Sequence, residues 1–430
     1  MKHIMVSFLA AGAIQLCNIA SGVLAARLLL PQGRGELAVI ILWSSIIATV
    51  GFLSIDQAVA YWSALRREHA IRLTILAMLL ATGLAAISVS VGFAILPSAL
   101  ESYRPEVLTI GRLYLVYIPL SYFGMVILAY FQGSLRLTEW SLIRTVMPVG
   151  YVLGILVFLA LGSTSVRDFV IASLLANAAV IVLGMALMVQ RVPSNWLPNL
   201  QDLPRVIRYG AGVHAAAIVA TGNLRLDQVL IALFMSPADL GYYVVAMSVA
   251  GGIALIASTL VPLAFPKIVS QATPEGKTLV FGRYLRLVIF AAAASTIVLF
   301  VFATWIVRTL FGEAFAPADD LVRILVLGAL ALATKMTLYA GLKAQNRLLP
   351  ISRTEIICLV VNAAALVVLL PRLGLTGAAL AYAITQVMGA AIAAMAVSRT
   401  FETGMMALAV PTRADWDFIR AKLHRSPDPR

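Results

Sequence analysis

The stretch Leu28–Ile40, LLLPQGRGELAVI, has a counterpart 206 residues further on, within Ile231–Ala246, IALFMSPADLGYYVVA. At that offset Pro31 falls on Pro237, Gly35 on Gly241 and Val39 on Val245, each in the frame of apolar run, Pro, three residues, Gly, apolar run. A chain that makes the same turn twice at this separation reads as two copies of one architectural unit. Further echoes follow in the same order. Arg144-Thr145 returns as Arg353-Thr354, and Leu161-Gly162 as Leu373-Gly374.

Composition says what the unit is made of. Of 430 residues, 61% are hydrophobic and only 12% are charged, against roughly 25% charged in a soluble domain. A bilayer crossing needs about 20 consecutive apolar residues. Twelve such runs are legible, at 4–27, 36–62, 73–97, 110–131, 141–162, 168–190, 209–235, 240–265, 284–311, 321–342, 351–371 and 374–398. They are numbered here as spans 1 to 12. The first reads as a membrane helix rather than a secretory signal, because it is long, carries Gln15 and Asn18, and has a structural twin in the repeat.

Six spans separate the two turns, so spans 1 and 7 enter the membrane in the same direction and the halves are parallel. The expected fold is therefore an all-α polytopic membrane protein of twelve helices in two parallel six-helix lobes around a central cavity. Its expected divisions are 1–190 for the first lobe, 191–208 for a cytoplasmic linker rich in proline (Pro193, Pro198, Pro204), 209–398 for the second lobe and 399–430 for a cytoplasmic tail. In the tail, TRADWDFIRAKLHR places Trp416, Ile419 and Leu423 on one face of an interfacial amphipathic helix.

Orientation follows from Lys and Arg, which are retained on the cytoplasmic side of short loops. With the N-terminus inside, 22 of the 32 lie in cytoplasmic segments, eight lie outside, and Arg225 and Lys335 lie within spans, while acidic residues divide almost evenly. Both termini are then cytoplasmic. The net charge of +13 is explained by topology and by attraction to anionic lipid headgroups, not by nucleic acid. Every outward loop is too short to form a catalytic domain, so the function must reside between helices. Cys17 and Cys358 lie inside spans and build no disulfide framework. No His, Cys and carboxylate set has ligand spacing, so neither metal nor cofactor is expected.

Parallel six-helix halves are a recurrent transporter plan with the substrate held between them near the midplane. Within span 7, Arg225 and Asp227 lie about 18 and about 15 Å from the outer end, near the centre of a core about 30 Å thick. Charges there are costly unless hydrated or paired. Residues two apart on a helix do not face each other, so each needs a partner from another helix or water. Either a hydrated substrate or ion site, or a structural ion pair, satisfies that need. Lys335 lies in span 10, where its long stem can also snorkel inward. Gln15, Asn18 and Ser21 form a polar stripe on span 1, suited to lining a cavity or to gluing helices. Asp56 and Arg27 read as interfacial, and His214 as a packed or hydrogen-bonded residue. A cavity with two or three cations and little acid suits a phosphate or pyrophosphate, which Arg grips bidentately. On that footing Arg225→Ala and Lys335→Ala should each impair export.

These segments resemble the bacterial polysaccharide or O-antigen flippases of the multidrug, oligosaccharidyl-lipid and polysaccharide flippase superfamily, which also holds the multidrug and toxin extrusion antiporters. The resemblance is carried by ARLLLPQGRGELAVI after span 1, LRLDQVLIALFMSPADLGYYVVA through span 7, LFGEAFAPADDLVRILVLG before span 10 and LGLTGAALAYA opening span 12. It implies a transporter, not an enzyme, that flips an undecaprenyl-pyrophosphate-linked oligosaccharide to the periplasmic leaflet of the inner membrane, driven by an ion gradient. The candidate substrate contacts remain those read from the spans, Arg225, Lys335, Asn18 and Gln15; in the resemblance Asp227 looks like the ion-coupling acid, and other glycan-export proteins are expected as partners. Span 1 lacks the acid many bacterial drug antiporters carry, and twelve spans fall short of the fourteen expected of peptidoglycan-precursor flippases. The rival readings are a cation-coupled drug or metabolite antiporter and, in another class, a membrane glycan polymerase or acyltransferase.

Overall fold

The computed structural model describes residues 2–189 and 197–410. Among these, ten helices are long and apolar enough to cross a membrane. Two of the ten, Ala10–Gly51 and Leu349–Phe401, have 42 and 53 residues, far more than the roughly 20 that one crossing needs. Each is two spans joined at a sharp backbone break. The first breaks at Leu30 (φ 59, ψ 175), where the following Pro31 excludes the helical conformation from the residue before it. The second breaks at Gly374 (φ 57, ψ −138). Counted this way, the described helices make the twelve spans that the apolar runs predict, and the protein is an all-α, multi-pass membrane protein.

Several boundaries move. Span 2 is interrupted after Gly51 and resumes as Ile55–Leu65. Span 7 begins at Leu203, with Pro204 in its first turn, where proline's missing N–H costs nothing. Residues 203–208, expected in the linker, are therefore already helical. Span 9 divides into Pro274–Val301 and Ala303–Phe311. The expected amphipathic helix around Trp416 lies outside the described residues.

By internal contacts the chain forms two compact units, one of residues 1–245 and 307–317, the other of residues 246–306 and 318–430. The second unit is packed around a stacked Phe281–Phe401 pair, centroids 4.8 Å apart. Beside this core the Arg286 guanidinium donates to the Leu408 carbonyl at 3.0 Å.

The echoes read from the sequence have structural content. Gly162 and Gly374 both take positive φ, 75° and 57°, so each Leu-Gly pair marks a left-handed turn between consecutive spans. Leu135 and Asn346, each at φ 56°, mark a second pair of turns that the sequence does not advertise. More telling is what the two copies of the opening turn do. Both belong to the first unit, and they lie against each other. A Cβ on Gly35 would sit 1.6 Å from the Pro237 carbonyl oxygen, and one on Gly241 would sit 2.2 Å from that of Pro31. The exchange is reciprocal, so the repeated turns meet about a local two-fold, backbone on backbone, and only glycine permits the approach.

Neighbouring polar groups fasten this end of the unit. Arg104 grips Glu36 with two hydrogen bonds, Nε to Oε1 at 3.0 Å and Nη2 to Oε2 at 2.7 Å, and that carboxylate raises the guanidinium pKa further. The Tyr103 hydroxyl donates to the Ala232 carbonyl at 3.1 Å. Burial, then the Glu36 charge, pushes its pKa up, which keeps the donor proton in place. Arg27 donates to the carbonyls of Leu310 (2.8 Å) and Thr309, capping the C-terminal end of the helix Ala303–Phe311 with a cation.

Candidate functional site

Span 2 fails to run straight for a local reason. A Cβ on Gly51 would lie 2.0 Å from Ser88 Oγ and 2.7 Å from Tyr122 Oη, two hydroxyls hydrogen-bonded to each other at 2.8 Å. Glycine at 51 admits that pair into the helix groove. The chain then turns through Leu53 (φ 53) and Ser54 (φ 49) before the helix resumes at Ile55. Span 7 docks into the break. A Cβ on Gly210 would lie 2.4 Å from the Leu53 carbonyl oxygen, and one turn on, His214 bonds to both sides of the gap. Its Nε2 is 2.9 Å from the Val50 carbonyl oxygen and its Nδ1 is 3.1 Å from Ser54 Oγ. A carbonyl only accepts, so Nε2 carries the proton; in the neutral ring Nδ1 then accepts from the serine hydroxyl. The expected hydrogen-bonded role of His214 is what the structure shows. His214→Leu removes both bonds from a buried site, and we expect a loss of about 1–3 kcal/mol, measured as a lower Tm in detergent.

The break opens a cavity of about 530 Å³ inside the first unit, walled by spans 2, 4 and 7. Ser45, Thr49, Asp56, Tyr117, Ser121 and Arg225 are among its lining groups. Arg225 makes no ion pair among the described residues; its charge is felt by the Tyr117 phenol and by Asp227. Asp56 stands in the first turn of Ile55–Leu65, where the helix dipole favours a carboxylate. It accepts from Gln57 Nε2 at 2.6 Å. The expectation that Asp56 is merely interfacial is corrected: the break in span 2 turns it into the cavity wall.

The other sequence-derived candidates disperse. Asp227 is 2% exposed and does not line the cavity. It accepts from the Tyr243 hydroxyl and from the backbone N–H of Gln228 at 2.8 Å, so its interhelical partner is a tyrosine on span 8. Gln15 is partly buried and Asn18 exposed, and neither lines this cavity. Ser21 Oγ donates to the Asn18 carbonyl at 3.1 Å.

Lys335 belongs to the second unit. Its Nζ is 3.0 Å from Glu355 Oε1, with the two side chains 4% and 18% exposed. The Tyr339 hydroxyl donates to the same Oε1 at 2.8 Å. The ammonium lies 5.8 Å from the Tyr339 ring centroid, and Gly389 gives its stem room, since a Cβ there would come within 3.0 Å of Lys335 Cδ. The expectation of a midplane cation with little acid to balance it is therefore corrected for Lys335. Glu355, an acid inside span 11 that directly follows the Arg353-Thr354 echo, was the signal for this pair.

The twelve spans, the repeated turns and the cavity define a multi-pass helical protein with the fold of membrane transporters. Residues 23–320 match the polysaccharide biosynthesis protein family, and the chain belongs to that family. Among solved structures, the lipid II flippase MurJ in an inward closed conformation is similar at a TM-score of 0.77 and 13% identity, over 99% of this chain and 94% of that one. An inward-facing multidrug resistance MATE family transporter of the MOP superfamily is similar at 0.70 and 15%, over 91% and 96%. A MOP superfamily transporter from Pyrococcus furiosus is similar at 0.58 and 14%, over 93% and 94%. No curated protein sequence matches the chain.

Proposed function

We propose that the protein moves a lipid-linked, pyrophosphate-bearing oligosaccharide across the bacterial inner membrane, from the cytoplasmic to the periplasmic leaflet, by alternating access. The single observation that carries the reading is Arg225, a guanidinium in the wall of a 530 Å³ cavity with no ion pair among the described residues. A bidentate cation in a polar, hydrated space suits a pyrophosphate, and the hydroxyls of Ser45, Thr49 and Ser121 beside it suit sugar. Membership of the polysaccharide biosynthesis family supports a glycan cargo over other phosphorylated lipids. In this reading Gln15 and Asn18 of span 1 are further cargo contacts, and Lys335 meets cargo only when its pair with Glu355 opens. Asp227 is the ion-coupling acid, the termini are cytoplasmic, and the protein works beside other glycan-export proteins.

A second reading, a cation-coupled drug or metabolite antiporter, is favoured by one specific observation: the Asp56 carboxylate shares the cavity with Arg225. Reconstituted vesicles separate the two. With a fluorescent undecaprenyl-pyrophosphate oligosaccharide as probe, Arg225→Ala is expected to lower the flipping rate about tenfold or more, the loss of one bidentate charged contact, and Arg225→Lys to restore only part of it. Unchanged flipping in Arg225→Ala would remove the pyrophosphate reading. Uptake of an organic cation that is abolished by Asp56→Asn and indifferent to Arg225→Ala would install the antiporter in its place.

A further inference from the structure

Away from the cavity, the ends of spans 2, 3 and 7 meet in the first unit around a shallow pocket lined by Trp62, Arg66, His69, Leu73, Asp202 and Arg205. It shares no residue with the cavity described above. Span 2 ends here with Arg66 as its C-cap, and the single turn Arg67–His69 leads into span 3 at Ala70. The turn Leu200–Asp202 leads into span 7 at Leu203. Stacked Tyr61 and Tyr209, centroids 4.6 Å apart, hold the first and last of these helices together.

Asp202, the one acid in the lining, is taken up locally: its Oδ1 holds Arg205 Nη1 at 2.9 Å. Arg66, by contrast, makes no ion pair among the described residues, so the pocket retains positive charge. Trp62 Nε1–H is buried and has no acceptor among the described residues. Indole is a donor only, and a buried donor left without an acceptor is destabilising. Span 3 also starts at the pocket, and its N-cap residue His69 supplies no side-chain cap, whereas span 7 runs on from the turn Leu200–Asp202, which the Asn199 side chain caps. Uncapped helix starts carry a partial positive charge. Flexible cations, an orphaned N–H donor and the positive start of span 3 all ask for an anion that accepts several hydrogen bonds.

We propose that this pocket binds the phosphate of an anionic phospholipid headgroup. The phosphate sits between Arg66 and the free donors of Arg205, and takes the Trp62 N–H. A lipid rather than a free phosphate is indicated by the surroundings. Leu65 and Leu200 beside the pocket are 59% and 68% exposed, apolar surface that the glycerol and acyl chains of the same lipid would cover. The pocket also lies at span ends that the Lys and Arg distribution assigns to the cytoplasmic side, where tryptophan favours the headgroup level and anionic lipid is attracted. The lipid ties spans 2, 3 and 7 together next to the break that shapes the cavity, without entering it.

The test uses the full-length protein in detergent and native mass spectrometry with added phosphatidylglycerol or phosphatidylcholine. The wild type is expected to retain one phosphatidylglycerol in preference to phosphatidylcholine. Arg66→Gln with Arg205→Gln should weaken that retention about tenfold or more, through two lost charge-assisted contacts. Trp62→Phe, which keeps the ring and loses the donor, should weaken it less, and Arg66→Lys should keep most of it. Both arginines are exposed, so the double variant is expected to keep the wild-type Tm without lipid. Millimolar inorganic phosphate is the second arm. If it leaves the lipid bound, the headgroup is the ligand; if it displaces the lipid and itself raises the Tm of the wild type but not of the double variant, the site stands with free phosphate as its source. Equal retention of phosphatidylglycerol by wild type and double variant, or equal retention of both lipids by the wild type, overturns the proposal. Neither result touches the flipping assay of Arg225.

Discussion

Lys335→Ala is expected to destabilise the protein by about 3–5 kcal/mol, because it removes one partner of an ion pair in a nearly dry interior. Glu355 is 18% exposed at its side chain and Lys335 4%, so little water replaces the lost ammonium at 3.0 Å. Tyr339 continues to donate to Glu355, but a neutral hydrogen bond does not offset a removed charge. The measurement is thermal unfolding in detergent, with the double variant Lys335→Met, Glu355→Leu as the discriminating control. Removing both charges together should recover most of the stability, since a buried pair is often no better than apolar side chains of similar volume. If Lys335→Ala unfolds like the wild type, the pair is not formed in the protein and the ammonium is available for a cargo. If it unfolds early and export falls with it, the loss of export follows from stability rather than from a missing substrate contact.

Gly35→Ala carries the second large effect. The new Cβ would be 1.6 Å from the Pro237 carbonyl oxygen, a backbone atom that no rotamer change can move aside. Overpacking of side chains costs about 1–3 kcal/mol, and a backbone collision falls at or beyond the upper end of that range. We expect a lower Tm and a longer distance between spin labels placed at the exposed positions Gln32 and Ser236. Gly241→Ala should behave alike, with its Cβ 2.2 Å from the Pro31 carbonyl oxygen. A pair of variants with wild-type Tm and unchanged label distance would show that the two turns do not touch.

Much of the architecture was legible because membranes make sequence simple. A span must satisfy its own backbone hydrogen bonds, so apolar runs of sufficient length announce helices whatever packs against them. The twelve runs appear as twelve spans for that reason, and the Leu-Gly echo marks left-handed turns because only glycine adopts positive φ at little steric cost. The site was less legible. Asp56 reads as interfacial from its place near a span end, and only the left-handed residues Leu53 and Ser54, which break the helix just before it, put that acid in the cavity wall. Lys335 reads as an uncompensated cation until Glu355, 20 residues later in the chain, is seen at 3.0 Å. Asp227 and Arg225 are neighbours in sequence and part company in space, one bonded to Tyr243, the other in the cavity wall.

The sequence by itself determined that this is a twelve-span helical membrane protein with a repeated turn, since both properties depend on local composition and on spacing along one chain. Only the tertiary structure decided which charges are paired, where the cavity opens, and that the two copies of the turn press against each other. Those outcomes depend on distances between helices far apart in the chain, and the free energy of a buried charge is set by what lies within a few ångströms of it, which a list of residues does not contain.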